Sequence, residues 1–280
     1  MAKNNSKSSF LGGAAILAAA VAVVKIIGAF YKLPLNNILG AQGKTYFNTA
    51  YYIYNVLLTI STAGLPLAIS KLTSQAHAQG RENEKRKIFR TAIWLFLVLG
   101  LVGSLLMFFG AEQLAAFQNN PSAWMPVRAL APAVFCVCLL ACMRGYTQGQ
   151  GNMKPTAVSQ VLEAFCKVGI GLPLAWYVLH IGMSLDTGAA GAILGVTASC
   201  LVSSVYLFGC FQKVYPQLPP TKDVPRSFAD TAKGLMIIAI PITLGSAGLQ
   251  FLTMLETKIY MGRLLEFYSQ AAADTMRGIY

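Results

Sequence analysis

The chain has 280 residues, 55% of them hydrophobic and 11% charged, with a mean hydropathy of +0.56. Apolar runs recur along the whole length, which excludes an ordinary soluble globular domain. A net charge of +12 would point to nucleic acid in a soluble protein, but the basic residues cluster in alternate loops between apolar runs, so no nucleic-acid partner is expected.

A membrane-spanning helix needs about 20 mainly apolar residues. Seven segments meet that length, over 9–30, 46–71, 89–111, 124–146, 156–181, 187–211 and 233–258. The predicted fold class is therefore an all-α polytopic membrane protein with about seven transmembrane helices. Residues 1–9 carry Lys3 and Lys7 without a small-residue cleavage site, so the first helix is expected to stay in place. Ala14, Ala18 and Ala22 give that helix a small-residue ridge suited to close packing.

Lys25 ends the first apolar run and has no acidic neighbour within its own helix. An ammonium at membrane depth costs roughly 3 kcal/mol or more unless it meets water or a partner. It must find a carbonyl, an acid on another helix, or an anion. The stretch 31–45, with Lys32 and Lys44, reads as an outer loop. Beyond it Tyr46, Phe47, Tyr51, Tyr52 and Tyr54 open the second helix. They read as an aromatic belt at the membrane interface, with stacking on a sugar as the alternative.

Prolines then mark kinks. Pro66, Pro132, Pro173 and Pro241 fall inside predicted spans, where each removes an amide donor; they read as static bends or as flex points of a transporter. Pro155 follows the turn at 149–152 and stands where a helix can begin. Glu163 and Lys167 are four apart on the fifth helix and can pair on one face. Gly191 and Gly195 form a GxxxG on the sixth. Arg128 and Lys258 lie near membrane surfaces, where long side chains can reach water. Glu256, on the seventh helix, is a candidate for ion or proton coupling or for pairing with Lys25 or Lys258.

Basic residues concentrate before the first helix and in the loops after the second, fourth and sixth, which places the N-terminus in the cytoplasm of a multi-pass cell-membrane protein and Tyr280 outside. No Ser/His/Asp or Cys/His arrangement has workable spacing, and the glycines at 149 and 151 lack the lysine of a phosphate loop. The chain is thus expected not to be an enzyme. All six cysteines lie in apolar segments as small hydrophobes, and His77 and His180 lie away from them, so no disulfide, metal or cofactor is expected.

Three tracts carry a resemblance. Residues 25–41 (Lys-Ile-Ile-Gly-Ala-Phe-Tyr-Lys-Leu-Pro-Leu-Asn-Asn-Ile-Leu-Gly-Ala) with 61–72 (Ser-Thr-Ala-Gly-Leu-Pro-Leu-Ala-Ile-Ser-Lys-Leu), the turn 144–163 beginning Arg-Gly-Tyr-Thr-Gln-Gly, and 241–246 (Pro-Ile-Thr-Leu-Gly-Ser) running on to 264 resemble stage V sporulation protein B and its MurJ-type relatives. These belong to the superfamily of multidrug, oligosaccharidyl-lipid and polysaccharide exporters. The resemblance implies two six-helix lobes around a cavity that alternates its access and moves an undecaprenyl-linked cell-wall or polysaccharide precursor, peptidoglycan lipid II foremost, between leaflets. Export of another surface polysaccharide unit, or a half-length chain without transport activity of its own, are the alternatives. It also implies that basic residues of the first helix meet the substrate pyrophosphate. Lys25 matches one such position. Tyr31 occupies the second, with Lys32 following it, and the third is absent because 54–61 is uncharged. The substrate-binding candidates are therefore Lys25 and Lys32. The implied partners are the lipid-linked saccharide, membrane lipids and a complementary second half. The implied layout is an N-terminal lobe over 1–215, a cytoplasmic linker over 216–232, and a seventh helix opening the second lobe over 233–280.

Overall fold

The computed structural model describes residues 2–214 and 221–279, so residues 216–220 of the predicted linker lie outside the described part. In chain order the helices are α1 (Ala2–Thr62), α2 (Leu65–Ala78), α3 (Glu82–Phe109), α4 (Ala111–Phe117), α5 (Trp124–Gly149), α6 (Lys154–His180), α7 (Leu185–Val214), α8 (Phe228–Phe267) and α9 (Gln270–Ile279), with a 3-10 turn over Pro121–Ala123.

A straight helix of 61 residues would extend about 90 Å. Instead α1 folds back on itself. Tyr31 and Phe47 are sixteen residues apart, about 24 Å along a straight helix, yet their rings lie 6.4 Å apart. The reversal occurs at Gly40, whose φ of 64° is open to glycine without strain. The first and second predicted spans are thus the two arms of a helical hairpin. The outer loop expected over 31–45 is corrected: these residues are helical. Tyr31, Leu35 and Leu39 recur every four residues and bury one face, which holds the arm in register up to the glycine. Pro34 removes only one donor and is tolerated inside the first arm.

The second arm stops at Thr62, and α2 restarts it with Gly64 before and Pro66 inside its first turn. The Gly64 amide, left without a helical acceptor, donates to Thr243 Oγ1 of α8 at 3.2 Å. A side chain at Gly64 would run into the Ala239 backbone, so the break in this span nests against the bend of α8 at Pro241. Pro132 and Pro173 also lie inside continuous helices, while Pro155 starts α6 as expected.

Among the described residues six helical stretches are long and apolar enough to cross a membrane, and the first of them, Gly12–Ala78, includes the hairpin, whose two arms can each make a crossing. α5 runs through the middle, packed on α1, α2, α3 and α7, with Leu130, Val134 and Leu140 fully buried. α6 and α7 press together where Gly171 faces Gly195. Val205, Phe109, Leu244 and Ile259 project outward and exposed, as a lipid-facing surface requires.

Residues 221–227 form an extended strap across the α2–α3 turn, and α8 begins at Phe228, inside the stretch expected to be linker. Asp223 accepts the amides of Asn83 (3.2 Å) and Glu84 (2.9 Å), which caps the start of α3 with a negative charge. The Glu84 carboxylate is buried and accepts from the Arg226 amide at 2.8 Å and from the Arg226 guanidinium. Arg81 reaches the Val224 carbonyl at 3.0 Å. Ser227 then caps α8 by accepting the Asp230 amide. Because hydrogen bonds to charged groups contribute about 1.5–3 kcal/mol each, Glu84→Gln is expected to cost about 1–3 kcal/mol in thermal unfolding of the detergent-solubilised chain. Arg226→Ala should cost less, since that side chain is 42% exposed and its charge is screened. Equal unfolding temperatures for wild type and Glu84→Gln would rule the strap out as a stabilising element.

Candidate functional site

The hairpin gives the lobe a polar face. On the first arm Lys25, then Gly28 and Ala29, then Lys32 and Asn36 recur turn by turn, one stripe of a helix. On the returning arm Lys44, Asn48, Tyr51, Tyr52 and Asn55 form a second stripe. With Lys167 of α6, Thr253, Glu256, Thr257 and Tyr260 of α8, and Arg277 of α9, they line a cavity of about 1010 Å³. Its charged groups are Lys25, Lys32, Lys44, Lys167 and Arg277, against the single carboxylate of Glu256. Among the described residues none of these five cations has a carboxylate within ion-pair distance. A low-dielectric setting magnifies such an imbalance, so the cavity attracts anions.

Lys25, Lys32 and Glu256 thus share one cavity. The Glu163–Lys167 pair does not form. Glu163 instead accepts from Arg144 Nη2 at 2.9 Å, while Arg144 Nε donates to Ser159 Oγ at 2.9 Å. The guanidinium crosses from the end of α5 and fits the carboxylate with directed donors, which the flexible ammonium four residues away does not match. Lys167 turns to the cavity, 4.8 and 5.0 Å from the ring centres of Tyr31 and Tyr51. The aromatic belt is also corrected. Tyr46, Phe47 and Tyr54 are buried, and Phe47, Tyr51 and Tyr52 line the cavity, because the hairpin packs this face inward rather than leaving it at a lipid interface. Arg128 meets Glu112 at 3.4 Å and the faces of Phe108 and Trp124, and Lys258 sits on the ring of Phe117. Neither belongs to the cavity.

Two contributors escaped the sequence reading. Lys44 lies in the stretch whose polarity reads as a loop, and Arg277 lies on α9, whose ten residues are too short to stand out as a span. Arg277 is 7% exposed, stands 5.6 Å from the Tyr52 ring, and has no hydrogen-bond partner for either Nη among the described residues. Its neighbour Asp274 is fully buried. Thr45 Oγ1 donates to the Asp274 carbonyl at 2.6 Å, which pins α9 to the hairpin. A signal was present in the spacing of Asp274, Arg277 and Gly278, which share the face that α9 buries.

Burial raises the Asp274 carboxyl to about 6, against the opposing pull of the Gln270 hydrogen bond and the Arg277 charge. The folded chain therefore keeps this proton up to about pH 6, whereas an unfolded carboxyl releases it near 3.8. Between those values the folded state binds more protons, so stability falls as pH rises through the window and levels off above it. Unfolding temperatures measured from pH 4 to 7 should show this slope in wild type and a flatter profile in Asp274→Asn. A slope unchanged in the variant would assign it to another group.

No group of three or more His, Cys, Asp or Glu is placed to hold a metal among the described residues, and the six cysteines are free thiols.

The multi-helix fold is shared with solved structures of MATE and MOP proteins. The chain aligns with a MATE in complex with MaD3S at a TM-score of 0.69 and 16% identity, over 86% of this chain and 54% of that one. It aligns with a MOP superfamily transporter from Pyrococcus furiosus at 0.67 and 15%, over 86% and 53%. Residues 10–280 match the family model described as polysaccharide biosynthesis protein, and the chain belongs to that family. It is similar to stage V sporulation protein B of Bacillus subtilis, 32% identical over 85% of this chain and 46% of the relative. It is also similar to the lipid II flippase MurJ of the same organism, 25% identical over 97% and 53%. The chain spans about half the length of the curated relatives it matches.

Proposed function

We propose that the chain is the N-terminal half of a flippase that moves an undecaprenyl-linked saccharide precursor across the cytoplasmic membrane, peptidoglycan lipid II foremost. The observation that carries this reading is the cavity itself, with five cations and one carboxylate facing a shared space between membrane-spanning helices. Uncompensated charge there is costly, and a lipid whose headgroup is a diphosphate offsets it. Membership of a polysaccharide biosynthesis family and similarity to a protein named as a lipid II flippase support the same direction.

In this reading Lys25 is the leading phosphate contact and Lys32 a second. Arg277 joins them from α9, and Glu256 binds the coupling ion or proton. The N-terminus is cytoplasmic, residues 1–215 form the first lobe, and the segment after it, ending in the strap over 221–227, links it to a second lobe that begins with α8. Transport needs the complementary half, from the same polypeptide or from another chain. The uncharged stretch 54–61, where the MurJ-type proteins carry a basic residue, favours a second reading in which the cargo is another lipid-linked surface polysaccharide. Complementation separates the two. Growth of a strain depleted of its lipid II flippase is expected under the first. Failure to grow, with surface polysaccharide export restored in a mutant lacking that exporter, is expected under the second. Rescue of neither strain, with the protein present in the membrane, would contradict both.

A further inference from the structure

The cavity holds more positive charge than one diphosphate balances, and holds it at separate places. Lys25 and Lys32 lie two helical turns apart, about 10 Å along the first arm, which is longer than the reach between two adjacent phosphates. Lys167 enters from a different helix. Its ammonium rests against the faces of Tyr31 and Tyr51 and lines the same cavity as Lys32. Glu163, the nearest acid on its own helix, is already engaged by Arg144. Among the described residues the Lys167 ammonium has no hydrogen-bond acceptor, although it can donate three. Cations that share a cavity without an ion-pair partner are stabilised by an anion.

We propose that Lys167 forms a second anion subsite, separate from the Lys25 level, which takes an acid group carried by the saccharide headgroup, a carboxylate of the sugar or of a peptide attached to it. The substrate is then a lipid-linked diphosphate whose headgroup is itself acidic. This rests on the flippase reading and adds the chemical class of the headgroup.

The test is equilibrium binding by the purified chain in detergent of three undecaprenyl diphosphate probes. One carries a neutral disaccharide, one the same disaccharide with a uronic acid, and one a neutral disaccharide with a peptide ending in free carboxylates. Wild type is expected to bind at least one acidic probe tenfold or more tighter than the neutral one. Whichever acidic probe gains identifies the source of the carboxylate. Lys167→Gln should weaken the acidic probes at least tenfold more than the neutral one, and the neutral binding it retains shows that the variant is folded. Lys167→Arg should retain the preference, and Lys25→Gln should weaken all three probes alike. No preference in wild type, or equal weakening of neutral and acidic probes by Lys167→Gln, would overturn the subsite and leave the flippase reading standing. Wild type that binds no diphosphate probe would instead remove the flippase reading, and the subsite with it.

Discussion

Replacing Lys25 by alanine is expected to lower precursor translocation ten- to a hundredfold in cells that depend on this gene, at unchanged protein level. The reasoning starts in the sequence. Lys25 has no acid within its helix, and the hairpin places it in the cavity, exposed and without a carboxylate partner among the described residues. A hydrogen bond between charged groups contributes about 1.5–3 kcal/mol, and each 1.4 kcal/mol is a factor of ten in binding. Because the residue lies on the open stripe of the first arm, truncation leaves the packed face of Tyr31, Leu35 and Leu39 untouched. Folding should therefore survive. Lys25→Arg, which keeps the charge, should retain most of the activity. Full translocation by the alanine variant would remove Lys25 from the substrate path.

The second large effect concerns the α6–α7 seam. A methyl group at Gly195 would overlap the backbone of Gly171 and press on the carbonyl carbon of Ile170. Backbone atoms cannot rotate away as a side-chain tip can, so the two helices must separate. Overpacking of this kind costs about 1–3 kcal/mol. In membranes small residues at a seam let backbones approach closely, and dispersion contacts hold the helices together. Gly195→Ala should thus lower the unfolding temperature clearly, and it should weaken ligand binding too, because Lys167 projects from α6 one turn away from Gly171. Gly209→Ala is the matched control on the same helix, where an added methyl meets nothing within 4 Å; there helix propensity favours alanine by about 1 kcal/mol. Equal unfolding temperatures for the two variants would show that the seam is not close-packed.

Hydropathy was enough to read the class of fold, since apolar length is a direct consequence of bilayer thickness. It failed at 31–45 for a physical reason. Lys32, Asn36 and Lys44 look like part of a solvated loop, but polar residues that line a cavity have the same composition. The chain reverses through one glycine and keeps its helical bonds on both sides. The aromatic residues after it were misplaced by the same error, because a belt and a cavity wall use the same side chains.

The candidate site was legible in part. Lys25 stood out because a charge without a partner in its own helix has to be answered elsewhere, and Glu256 because acids are rare in these segments. The spacing of Glu163 and Lys167 pointed to a local pair, but a helix carries no record of its neighbours, and Arg144 from α5 takes the carboxylate. Arg277 was hidden by the shortness of α9. Its place became apparent only where α9 meets the hairpin through Thr45 and Asp274.

The most direct measurement compares binding of undecaprenyl diphosphate and undecaprenol, identical in their hydrocarbon, to the purified chain at low and high salt. An anion-binding cavity predicts that the diphosphate binds at least tenfold tighter, that the margin shrinks as salt rises, and that inorganic pyrophosphate competes for the site. Equal affinity for the two lipids at both salt concentrations would contradict it.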